Sequence, residues 1–151
     1  MIKFLRPAEK VIFSWDEPGS PSDRKNMLKL LMLVAGVIEV LFGISALFAP
    51  LAVLEFVGAK GGDVQLPTLA LISLLGAATL GLGVGALYGR NSIETSGGRA
   101  AAYGLGLYNL VGAAVLLLFA RSEASDPGLW AGVIVHTVIA VLFIFAFLTR
   151  R

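Results

Sequence analysis

Four long apolar stretches constrain this chain more than any other feature. Val64 to Gly89, Ala100 to Ala120 and Pro127 to Thr149 each run without a single charge. Leu30 to Leu54 is a fourth stretch, interrupted only by Glu39. At 1.5 Å per residue, about 20 apolar residues cross the roughly 30 Å hydrocarbon core of a bilayer, so each stretch can span it. A water-soluble fold would have to hide this surface, yet a domain of this size still exposes roughly 30% of its unfolded area. With 57% hydrophobic and only 15% charged residues, the 151-residue chain has too little polar surface for that. So little charge also argues against a disordered chain. The expectation is one integral membrane domain.

Helices, not barrel strands, fit the pattern. Barrel strands alternate over about 10 residues between turns. Runs such as LLMLV, VLLLF and VLFIFAFL do not alternate. Helices also satisfy their own backbone in lipid. The sequence therefore predicts an all-α membrane protein, a bundle of four transmembrane helices over 27–49, 66–88, 99–120 and 128–148. Pro50 follows the first span, and Pro67 suits the first turn of the second. The stretches 59–65, 91–98 and 122–128 read as connections. Trp130 is placed as an interfacial anchor. The segment LAVLEFV after Pro50 reads as lying along the interface.

Charge sets orientation. Lys3, Arg6, Lys10, Arg24, Lys25, Lys29, Arg90, Arg99, Arg150 and Arg151 fall on one side of a four-span topology. Only Lys60 and Arg121 fall on the other, so both termini are expected in the cytoplasm. The net charge of +2 is too small to imply a nucleic-acid partner, and no basic run longer than two residues offers itself to a phosphate backbone. With no cysteine there is no disulfide, thiol chemistry or cysteine-based metal site. Residues 1–26 read as a cytoplasmic arm. Met1–Trp15 is too broken by charge for a secretory signal, and mixes Phe4, Leu5, Ile12 and Trp15 with bases as an interfacial helix does. Asp16–Asn26 would then be a linker.

Each span carries a notable polar residue near mid-depth: Glu39, Thr79, Asn109 and His136. Counting helical rise through the alternating topology brings all four within about 6 Å of one level. A carboxyl group at mid-bilayer costs about 2.5–3.5 kcal/mol, so Glu39 should face the bundle, protonated or paired. Stripes of small residues point the same way: Gly36 and Gly43 on the first span, Gly104 and Gly112 flanking Tyr108 on the third, Gly132 before His136 on the fourth. On the second, Gly76 and Gly81 are placed at helix contacts, with Gly83 and Gly85 nearby. Such stripes allow close backbone approach in lipid. Glu39, Asn109, His136, Tyr108 and Thr79 thus form the candidate ligand or proton site. Thr79 is expected to bond back to its own helix. His136, the sole histidine, could pair with Glu39, ligate a tetrapyrrole metal or bind a quinone carbonyl. One His and one Glu do not complete a zinc site. No catalytic triad is visible, and GLGVG lies within an apolar helix rather than a phosphate loop. A faint internal echo pairs GVIEVLFG with GLYNLVG, matching Glu39 to Asn109.

With GVIEVLFGISALFAP, LISLLGAATLGLGVGALYGR, GLYNLVGAAVLLLFA and WAGVIVHTVIAVLFIFAF in its four spans, the chain resembles the DoxX-like group of small four-helix bacterial membrane proteins. The resemblance covers roughly residues 29–148. It implies the bacterial inner membrane. Some members of the group are similar to the membrane subunit of a thiosulfate:quinone oxidoreductase, and others accompany redox or detoxification partners. The absence of cysteine and the additional N-terminal arm set this chain apart. The favoured reading is a non-catalytic accessory or structural subunit, with lipid and other membrane subunits or copies of itself as partners. Two others stay open: a redox protein holding quinone, lipid or tetrapyrrole at His136, Glu39 and Asn109, and a small proton-coupled transporter using Glu39.

Overall fold

The structure, a computed structural model, describes residues 21–59, 64–122 and 126–148. The interfacial helix expected over 1–15 lies outside them. Five helices follow one another: α1 (Pro21–Phe48), α2 (Pro50–Phe56), α3 (Leu66–Gly89), α4 (Ser96–Ser122) and α5 (Pro127–Leu148). No strand occurs among the described residues. All but α2 are long and apolar enough to cross a membrane. The chain is an all-α, multi-pass membrane protein. Large apolar side chains cover the outside, Leu41, Leu71, Leu107, Leu118 and Ile134 among them. Lipid, not protein, is the natural solvent for such a surface.

α1 starts ahead of the expected span. Pro21–Asn26 is helix, not linker. A proline suits the first helical position, where its missing N–H has no partner to lose, and Asp23 in the first turn meets the positive end of the helix dipole. Ala49 leaves the helical region (φ −138°, ψ 54°) ahead of Pro50, which separates α1 from α2. At seven residues α2 is too short to span. Gly58, at φ +97°, ends it. Ala59 N–H donates to Leu54 O (3.0 Å) and Gly58 N–H to Glu55 O (3.1 Å), the Schellman pattern that a left-handed glycine permits.

The starts of α4 and α5 are capped by side chains. Thr95 Oγ1 accepts from Gly98 N–H (3.1 Å) at the head of α4. Asp126 Oδ1 accepts from Gly128 N–H (2.7 Å) at the head of α5, with Pro127 in the first turn. Both caps need their glycine for a second reason. A β-carbon on Gly98 would collide with the Ser92 carbonyl, and one on Gly128 with the Phe56 carbonyl. Gly128 is therefore where the end of α2 lies directly on the start of α5.

α1 packs most extensively on α3, and α4 on α5; lighter contacts of α3 with α4 and of α1 with α5 close the bundle. The end holding the start of α1, the α3–α4 connection and the end of α5 is called here the near end. Its core is Leu28, Met32, Ala35, Leu105, Ile139, Phe143 and their neighbours, closed by Ile93 from the connection. Outside this plug, Lys25 Nζ meets Glu94 Oε1 at 2.8 Å, with both side chains well exposed. The two contacts should differ sharply in weight. Ile93→Ala is expected to cost about 2–4 kcal/mol by leaving a cavity. Glu94→Gln should cost less than about 1 kcal/mol, as exposed pairs do. Detergent-mediated equilibrium unfolding of the two variants, followed by helical circular dichroism, compares them directly.

Candidate functional site

Two glycine pairs set the register between α1 and α3. A β-carbon on Gly43 would lie 2.7 Å from Gly76 O, and one on Gly76 would lie 2.9 Å from Gly43 O. Two turns along each helix the pattern repeats: Gly83 would meet Gly36 O at 2.7 Å, and Gly36 would meet Gly83 O at 3.1 Å. The helices run antiparallel with their backbones in contact at both points. Glu39 and Thr79 fall between those points, at one level, and both are buried. Thr79 Oγ1 donates to Gly76 O at 3.1 Å, a bond to its own helix.

The α3 face buried in this seam is Gly76, Thr79, Gly83 and Ala86. Gly81 is not on it. Nothing lies within 4 Å of a β-carbon placed there, because position 81 points away from both neighbours. The expectation that Gly81 packs a helix contact is corrected to Gly83. Gly104 is only loosely covered, by Leu82 Cδ1 at 3.8 Å, whereas Gly106 sits under Phe143 at 3.3 Å. Gly132 faces Leu116 Cδ1 at 3.2 Å.

Asn109 on α4 is fully buried and joins three helices. Its Nδ2 donates to Leu105 O, one turn back, at 2.9 Å. Its side chain also hydrogen-bonds the Glu39 carboxyl on α1. Its Oδ1 lies 2.8 Å from Nδ1 of His136 on α5. The direction of this last bond follows from the first. The Leu105 carbonyl can only accept, so the amide nitrogen must face it and the amide oxygen must face His136. Nδ1 of His136 therefore carries the proton and donates. In a neutral imidazole the other nitrogen, Nε2, then holds a lone pair.

His136 stands at the tenth position of the 22-residue α5, near mid-membrane. Its ring lies over Gly112, whose added β-carbon would meet Nδ1 at 3.4 Å. Tyr108 approaches edge-on, with ring centroids 5.5 Å apart at 73°. The Tyr108 phenol is also within electrostatic reach of Glu39. The structure thus brings Glu39, Asn109, His136 and Tyr108 into one cluster from α1, α4 and α5. Thr79 shares the level but bonds within α3. Tyr103 lies apart, stacked on Phe147 with centroids 4.6 Å apart. Sequence reasoning named Gly83 only together with Gly81 and Gly85, and missed the parts played by Leu105 O, Gly106, Gly98 and Gly128. Only the shared spacing of Gly76 to Gly83 and Gly36 to Gly43 could have singled out Gly83. No protein-family model, curated protein or solved structure matches the chain.

Proposed function

We propose that the protein is a non-catalytic accessory subunit of a larger assembly in the bacterial inner membrane, of the DoxX-like kind, with both termini in the cytoplasm. The observation that supports this is how the mid-membrane polar groups are used. Thr79 bonds its own helix, and Asn109 engages Leu105, Glu39 and His136 together. Such bonding fastens the α1·α3 unit to the α4·α5 unit and leaves a stiff body with a wide apolar outer surface. Interhelical hydrogen bonds of this kind hold bundles together in lipid. Extraction from native membranes in a mild detergent, with crosslinking beforehand, is expected to recover the chain with a second membrane protein. Recovery of a free monomer alone would count against the reading.

Orientation has its own test. The bases of the described near end, Arg24, Lys25, Lys29, Arg90 and Arg99, outnumber the single Arg121 among the described residues of the far end. A C-terminal reporter that works only in the cytoplasm is expected to be active, and one that works only outside to be silent.

One observation favours a second reading, in which the bundle seats a ligand. His136 Nε2 has no partner among the described residues, and the one fully buried side-chain nitrogen or oxygen left unpaired there is Arg90 Nε. Nε2 thus retains accessible surface. Optical spectra and extracted-lipid analysis of the purified protein test for a bound pigment or quinone.

A further inference from the structure

We propose that Nε2 of His136 accepts a hydrogen bond from the hydroxyl of a membrane-soluble phenol or alcohol, so that the site takes O–H donors and turns away ketone, quinone and ether oxygens. The inference rests on the ligand-seating reading and adds the polarity of the ligand. Leu105 O fixes the Asn109 amide, the amide oxygen fixes the proton on Nδ1, and the lone pair is left on Nε2. A second proton on the ring would place a charge near mid-bilayer, which is unfavourable. A bare lone pair at that depth has no water to turn to, and leaving it unsatisfied also costs free energy. What satisfies it must dissolve in the membrane and carry a donor. A quinone carbonyl, itself an acceptor, does not fit a second acceptor. At this level the lipid-facing surface, Val111 on α4 and Val135 on α5 among it, is apolar and suits a hydrocarbon body. Tyr108 stands beside the imidazole, with ring centroids 5.5 Å apart and planes at 73°.

His136 is the sole histidine, so nitrogen-labelled histidine gives a one-site spectrum, provided the full chain is purified without a histidine tag. In lipid nanodiscs the spectrum is expected to show a proton on Nδ1 and none on Nε2. Titration with 4-octylphenol should move the Nε2 resonance to saturation. Its methyl ether, 4-octylanisole, and an alkylbenzoquinone should bind about five- to tenfold more weakly, the worth of one neutral hydrogen bond. His136→Phe should keep the helical circular dichroism and lose the preference for phenol over ether. Asn109→Leu should no longer confine the proton to Nδ1. A proton found on Nε2, or equal binding of phenol and ether, overturns the polarity while leaving the ligand seat. No saturable response to any probe overturns both. A tetrapyrrole absorption band in the purified protein overturns the phenol in favour of a metal-bound macrocycle.

Discussion

Replacing Gly43 with alanine is expected to destabilise the bundle by about 1–3 kcal/mol, and replacing it with leucine by more, because the α1·α3 seam has no room for a side chain. The atoms a new β-carbon would meet are Gly76 O and Leu80 N, both at 2.7 Å and both backbone. Backbone cannot swing aside as a side-chain tip can, so the helices must separate. Separation at Gly43 loosens the paired contact at Gly36 and Gly83 as well, since both sit on the same two rigid helices. Gly81→Ala is the internal control. It meets nothing within 4 Å and should be neutral or gain up to about 1 kcal/mol of helix propensity. Equilibrium unfolding in mixed micelles, read by helical circular dichroism, ranks the variants. Equal stability of the Gly43 and Gly81 variants would show that the seam does not hold α1 to α3.

Asn109→Leu is the second large effect. Leucine keeps the volume but removes both hydrogen-bonding ends, leaving the His136 Nδ1–H and the Glu39 carboxyl without their shared partner. Unsatisfied buried groups cost about 1–3 kcal/mol, and the expected loss lies within that range. In lipid the value falls toward the lower part of it, because a loosened chain finds other partners in the membrane. A double-mutant cycle between Asn109→Leu and His136→Phe is expected to give a coupling of about 0.5–1.7 kcal/mol. Strict additivity would mean that the two side chains touch without supporting one another.

The spans were legible because uncharged runs long enough to cross the hydrocarbon core admit one secondary structure in lipid. The common level of Glu39, Asn109 and His136 was legible too, since helical rise converts sequence position into depth. Rotation about each helix axis was less so. Four glycines on α3, at 76, 81, 83 and 85, lie on different faces, and only the matching pair on α1 selects 76 and 83 over 81. The tautomer of His136 was hidden because a backbone carbonyl decides it, and every residue has one. Gly98 and Gly128 read as ordinary loop glycines, since the carbonyls that exclude a side chain there come from Ser92 and from the distant Phe56. The helical start at Pro21 was masked by the charged, turn-rich composition of the segment around it.

Large buried side chains are not spread evenly along this bundle. Leu28, Met32, Ile93, Leu105 and Phe143 all lie between the polar cluster and the near end. Beyond the cluster, what is buried among the described residues is Gly43, Ala46, Gly76, Ala120, Gly128 and Val133. In lipid it is contact between packed atoms, more than escape from water, that holds helices together, and the small side chains provide less of it. The molecule is thus built like a pair of tongs, pivoted at the near end and clasped at the far tip where Gly128 lies under Phe56. With that clasp shut the far tip is tied as the near end is, and the polar cluster around His136 is held between two closed ends.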